Sequence, residues 1–154
     1  MMRVIDVIDI AAPIATVFDA AADVERWPAM LPHYRSVTIQ ERRPDGTTIV
    51  AMSANRPFGW FDWPTWWTSE MWIDRARFEV RYRHVRGVTT GMDVVWRLTT
   101  NGKLTHVDLI HDWNGPSWPL IRRPAAKWVI LPVFVHGIAS RTLAGIARSL
   151  QGTA

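Results

Sequence analysis

From Arg75 to Arg86 the chain alternates: Phe78, Val80, Tyr82 and His84 share one parity, and Arg77, Glu79, Arg81 and Arg83 the other. A period of two predicts a strand with one face toward the interior and one toward water. Met92, Val94, Trp96 and Leu98 form the inward set of the next strand, against Asp93, Val95 and Arg97. Asn101-Gly102 is a strong hairpin signal. The returning strand presents Val107, Leu109, His111 and Trp113 inward, with Asp108 and Asp112 outward. Upstream, Arg35–Arg43 and Thr47–Ala54 read as a hairpin around Pro44-Asp45-Gly46, and Thr65–Asp74 as a further strand.

The two ends are patterned differently. Arg3–Ile10 is rich in β-branched residues and predicts a first strand, with Val4, Asp6, Ile8 and Ile10 on one parity. Pro13 suits the first turn of a helix through Ala22, with Ile14, Val17, Phe18 and Ala21 at helical spacing. Asp23 is positioned to cap a short second helix, Val24–Met30, which Pro28 keeps short or bends. A long C-terminal helix is expected to begin between Ala125 and Pro132 and run to about Leu150, with Leu131, Val135, Ile138, Thr142 and Ile146 along one stripe. Pro132 either starts its regular part or kinks it. Strands in a run, rather than alternating with helices, indicate an α+β fold: about six to seven antiparallel strands curved round the final helix, with two short helices after the first strand.

With 154 residues, the chain is sized for a single domain spanning 1–154. It has no cysteine, which excludes disulfides and thiolate chemistry. The longest uncharged run, Trp128 to Ser140, is shorter than the about 20 residues of a bilayer span. Two aspartates near the start argue against a secretion signal, so a cytoplasmic setting is the default expectation. The net charge of +4 comes from arginine, since Lys103 and Lys127 are the only lysines. Arg75, Arg77, Arg81, Arg83 and Arg86 read as a solvated sheet face, because Glu79 interrupts them and no aromatic shares their side; nucleic acid is not expected. The outlying figure is 10 Trp beside 2 Tyr and 5 Phe. So many tryptophans suggest a lined cavity or an interface. Phe58, Trp60, Phe61, Trp63, Trp66 and Trp67 crowd one stretch, read as a loop folded over the open end of the core. Its alternative uses are a lid, a homodimer contact or a peripheral membrane contact.

No nucleotide loop, nucleophile elbow, zinc helix or calcium loop is present. His106 and His111 fall on opposite strand faces, so they cannot share one metal ion. His84 and His111 point inward on strands separated by one other, roughly 9–10 Å apart. That spacing suits two ends of a polar ligand group, or two core histidines each bonded to a neighbour.

Several short segments, in order, carry a resemblance: Pro13 opening the first helix, Asp23-Val24-Glu25-Arg26-Trp27-Pro28 leading to Leu31-Pro32-His33-Tyr34, Trp67-Thr68-Ser69-Glu70, Met92-Asp93-Val94-Val95-Trp96, and the long last helix. Together they resemble the START-like (SRPBCC, helix-grip) superfamily and, within it, the polyketide aromatase/cyclases. The resemblance implies a curved sheet gripping a helix over a deep cavity. It further implies a hydrophobic, polyketide-like or polycyclic ligand, and cofactor-free aldol closure and dehydration. A non-catalytic carrier or sensor of a lipid, quinone or other apolar metabolite is the alternative. Trp27, Tyr34, Trp67, Ser69, Met71, Phe78, Tyr82, His84, Trp96, His111 and Trp113 are the expected ligand contacts. Tyr34 is the expected hydrogen-bond donor to a carbonyl and His111 the general acid or base, with no metal or cofactor. Cyclases of this type often carry an arginine after the Ser-Glu pair; Met71 stands there, in a slot that parity turns toward the cavity.

Overall fold

The computed structural model describes residues 2–58, 60–116 and 122–151, apart from the side chains at 57, 58, 122, 123 and 126–129. Seven strands form one antiparallel sheet: β1 (Met2–Ile10), β2 (Tyr34–Arg42), β3 (Thr48–Phe58), β4 (Phe61–Asp74), β5 (Glu79–Arg86), β6 (Asp93–Asn101) and β7 (Leu104–Trp113). Their order is β1-β7-β6-β5-β4-β3-β2. β2 to β7 therefore follow one another as a meander, and β1 closes against β7, in register from Met2↔Trp113 to Ile10↔Thr105. The chain crosses from one sheet edge to the other through α1 (Ile14–Ala22), a 3₁₀ turn (Val24–Arg26) and α2 (Trp27–Met30). Pro13 caps α1 rather than opening its first turn, and Val17, Phe18 and Ala21 are its buried face. Asp23 makes no side-chain capping bond. It lies instead 4.0 Å from Arg26.

The helix at the C-terminal end starts earlier than its periodicity suggests. α3 (Arg122–Ala125) leads into a π-helical segment (Ala126–Val135), which leads into α4 (His136–Gln151). Pro132 lies inside the π segment, and regular α-helix resumes only at His136. A proline ring has no N–H and crowds the carbonyl one turn back, and the wider π turn accommodates it. Trp118, Pro119 and the side chain of Trp128, part of the expected apolar stretch before this helix, lie outside the described residues. The segment Ile130–Gln151 is long and apolar enough to cross a membrane, but its apolar stripe lies in the core, with Leu131, Leu143 and Ile146 buried. Gly145 lets α4 close on Leu31, because a Cβ there would collide with that side chain. His136 pairs with Asp6 of β1, which burial holds above the usual carboxylate range.

The outer sheet face is charged and largely paired. Glu79 is only 7% exposed, beneath Arg81 and Arg97, each 2.9 Å away. Arg83 meets Asp93 at 2.9 Å, and Arg3 meets Asp112 at 2.7 Å. The arginine stripe is thus a face of ion pairs. His106 lies on this side, between Asp9 (2.8 Å) and Asp108 (3.0 Å), opposite His111 as parity requires.

The aromatic stretch expected as a loop is a ribbon. β3 and β4 pair out to Phe58↔Phe61, and Pro64 lies inside β4 opposite Asn55. Trp60 is 92% exposed and Trp66 59%, so these rings do not fold over the core. Alternating rings on a two-stranded ribbon must leave one set in solvent. Trp63 turns the other way, its ring 6.2 Å from Phe134 of the π segment.

Candidate functional site

Between the concave sheet face and the last helix lies a cavity of about 90 Å³. That volume holds several waters, at roughly 10–15 Å³ for one. One wall is the helix, through Phe134, Val135, Ile138, Ala139 and Thr142. Three of these belong to the apolar stripe read from the sequence. Trp27 of α2 and Thr89 and Met92 of the β5–β6 connection also contribute, and inward residues of β2 to β7 supply the rest.

Its most continuous feature is an aromatic band. Trp96 lies 5.7 Å from Trp27, Trp27 5.1 Å from Tyr34, and Tyr34 6.1 Å from Trp67. Trp67 then stacks on His84 at 5.8 Å with an interplanar angle of 6°. Trp27 is held by its indole N–H, which donates to the Ala20 carbonyl at 3.0 Å. Band members come from α2, β2, β4, β5 and β6, so the sheet's curvature is what brings them together.

The polar groups of the wall are uncharged. Burial pushes the His84 imidazole down to about 3, with His111 nearby adding to the effect. Burial likewise lowers His111 to about 4. His84 Nδ1 bonds the Thr89 hydroxyl at 2.6 Å. Burial raises the phenol pKa of both Tyr34 and Tyr82. Behind Tyr34, the Thr142 hydroxyl donates to the Ile138 carbonyl (2.8 Å) and therefore accepts from His33 Nε2 (2.9 Å). His33 is itself lowered to about 4, by burial and by Arg141. Among the described residues no Lys, Arg, Asp or Glu lines the cavity. Among the described residues no group of three His, Asp or Glu could hold a metal ion.

Of the expected contacts, Trp27, Tyr34, Trp67, Tyr82, His84, Trp96 and His111 line this cavity, and Ser69, Met71, Phe78 and Trp113 do not. Met71 does face inward, but it is buried in the core away from the open volume, so the slot lacking an arginine is not a cavity position. Ser69 is fully buried directly across from His84, too short to reach the lumen. Phe78 precedes β5 with a φ of 52°, which breaks the alternation and sends its ring edge-on to Phe18 at 5.5 Å. Trp113 donates its indole N–H to the Thr90 carbonyl at 3.1 Å and packs under the β5–β6 connection. Sequence reasoning missed Thr89 and His33. Thr89 lies in a connection with no periodicity, and His33 reaches the site from behind, through Thr142 and through its ring contact with Tyr34 at 4.8 Å.

A curved sheet closed by one long helix, with an apolar, aromatic-banded cavity between them, defines a helix-grip small-molecule-binding protein. The chain belongs to the family described as "Polyketide cyclase / dehydrase and lipid transport", which matches residues 10–144. It is 33% identical over 103 residues to a Streptomyces cyaneus protein named "Putative polyketide cyclase". That match covers 64% of this chain and 65% of the relative, just under two thirds of the relative's length. In structure it is similar to the Zhui aromatase/cyclase from Streptomyces sp. R1128, with a TM-score of 0.73 over 99% of this chain and 98% of the other, at 22% identity. A START superfamily protein from Mycobacterium smegmatis aligns at TM-score 0.67 over 97% and 94% of the two chains, at 17% identity. At such identities the structural likeness speaks to the fold, and the START-like helix-grip architecture is shared throughout.

Proposed function

We propose that this chain holds a hydrophobic, carbonyl-bearing molecule of polyketide type against the aromatic band and promotes its cofactor-free ring closure and dehydration. The observation that carries the reading is the convergence of Tyr34 and His111 on one apolar cavity that an aromatic band crosses. A flexible chain of carbonyls loses many conformers on closing a ring, and flat aromatic walls remove those conformers before reaction. With its pKa raised, Tyr34 keeps its proton and serves as a hydrogen-bond donor to a ketone. His111, neutral at physiological pH, carries a proton on one ring nitrogen and a lone pair on the other. It can polarise a carbonyl as a neutral imidazole and take up a proton from the activated carbon beside it. Ring closure then joins that carbon to the ketone, whose oxygen takes the proton back from His111 and becomes a hydroxyl. Dehydration removes a second proton from the same carbon through His111 and delivers it to the departing hydroxyl, which leaves as water. A cavity of about 90 Å³ is small for a polycyclic product, so side chains of its wall must turn aside to admit one.

The test is turnover of a synthetic methyl diketone able to close a six-membered ring. Tyr34→Phe and His111→Ala should each slow closure by about 10²-fold, the usual contribution of a positioned acid or base. Full activity in both variants would remove these roles. A second reading, carriage without chemistry, is favoured by the absence of any cation among the described residues of the cavity wall, since a developing enolate gains most from one. Recovery of a lipid or quinone from the purified protein, unchanged on incubation, would support that reading.

A further inference from the structure

Two buried polar atoms of the cavity's residues have no hydrogen-bond partner among the described residues: the Tyr82 hydroxyl and His111 Nδ1. Tyr82 is 5% exposed and His111 9%, and both line the open volume. They lie on one rung of the sheet, Tyr82↔Val94↔His111, with only the short Val94 side chain between them. His84 follows two residues along β5 on the same face. Its Nδ1 is taken by Thr89 and its ring is clamped against Trp67, leaving Nε2 as the nitrogen free to meet a ligand. Three polar side chains thus share one face of the sheet in a cavity whose wall is mostly apolar and aromatic. Two further buried polar atoms without a partner among the described residues, Asp6 Oδ2 and Ser69 Oγ, belong to residues outside the cavity, whereas Thr105 donates to the Ala12 carbonyl and Thr142 to that of Ile138. Leaving a buried hydroxyl and an imidazole nitrogen unpaired is costly, and such groups call for a specific explanation.

We infer that Tyr82, His84 and His111 form a receptor for one neutral oxygen of the ligand, a ketone or a phenol, and that this receptor rejects carboxylates and phosphates. The inference rests on the cavity being the ligand site, as proposed above, but not on any turnover there. Rejection follows from what surrounds the three groups. Among the described residues no arginine or lysine lines the cavity, so a carboxylate entering it gives up its hydration without gaining a counter-charge from that wall. Burial also keeps both imidazoles uncharged at neutral pH, so neither supplies that counter-charge. A ketone or phenol oxygen loses far less hydration and gains the hydroxyl and the imidazole that the fold leaves unpaired. Charge, rather than shape alone, then sorts the ligands, and a chain bearing a free acid must keep that acid at the mouth, in water.

Three single-ring probes of one outline separate these terms: p-xylene, p-cresol and p-toluate, titrated at neutral pH and followed by the imidazole nitrogen NMR signals of His84 and His111. In the unaltered protein p-cresol should bind about tenfold more tightly than p-xylene and more tightly still than p-toluate, the size expected of one well-made hydrogen bond to a buried partner. Tyr82→Phe keeps the ring and removes only the unpaired hydroxyl. It should fold with an unchanged or higher Tm and reduce the preference for p-cresol over p-xylene to about twofold. A hydroxyl that served only the fold would instead lower Tm and leave the preference intact, which overturns the inference. So does p-toluate binding as tightly as p-cresol in the unaltered protein, a comparison that needs no variant. Absence of ring closure with the p-cresol preference intact would remove the cyclase reading and leave the receptor standing.

Discussion

His33, His84 and His111 are each buried deeply enough that charging them costs more in the fold than in the open chain. Their folded values of about 4, 3 and 4 lie below the ordinary histidine value of 6.5, so between those limits the unfolded chain binds more protons. Stability therefore falls as pH drops from about 6.5 toward 4. Below that, the lowered carboxylates Glu79 and Asp112 add to the loss as they protonate. Thermal melts across this range should show Tm declining before any ordinary carboxylate titrates, and His84→Gln should flatten the upper part of the decline. A Tm constant from pH 6.5 to 4.5 would contradict the burial of these rings. Parity placed Tyr82, His84 and His111 inward from the sequence, because alternation reports which face a side chain takes. It does not report depth along that face. Hence Ser69, Met71 and Trp113 share the inward parity of cavity residues yet lie in closed core, and a single left-handed φ at Phe78 ends the alternation one residue before β5.

Among the elements, the strands and the first helix were legible because their periods are local properties of the chain. Two elements were not. The β3–β4 ribbon runs through Pro57 and Pro64, which read as loop signals, because both prolines fall near the projecting end where sheet neighbours are few. The helix start was hidden for a related reason. Pro124 and Pro132 argue against regular helix, and a π segment spanning Ala126–Val135 has no periodicity that a 3.6-residue stripe would reveal. Helix placement against α2 depends on Gly145, where a methyl group would meet Leu31. Gly145→Ala gains helix propensity worth about 1 kcal/mol but overpacks this contact at about 1–3 kcal/mol. A net destabilisation is expected in chemical denaturation, and Leu31→Ala in the same chain should relieve the overpacking. A stabilised single variant would show that the helix has room to shift.

At the scale of the molecule, the sheet's curvature does what no segment of sequence states: it brings α2, six strands and the last helix to the same cavity. The order of short motifs made the helix-grip architecture legible, since strand run and terminal helix admit few packings. The cavity's size was not legible, because volume is the small difference between a large enclosing surface and the side chains that fill it. Nor was the uncharged character of its polar groups, which follows from burial that only the assembled fold creates. Trp27, Trp67 and Trp96 line the cavity, so an absorbing ligand inside it must quench their emission. The most direct measurement is accordingly a tryptophan-fluorescence titration with an uncharged hydroxylated anthraquinone. Saturable quenching at one ligand per chain, reversed by p-cresol, is the predicted result. Quenching that never saturates, or that p-cresol leaves untouched, would contradict a cavity built for an uncharged, oxygen-bearing apolar ligand.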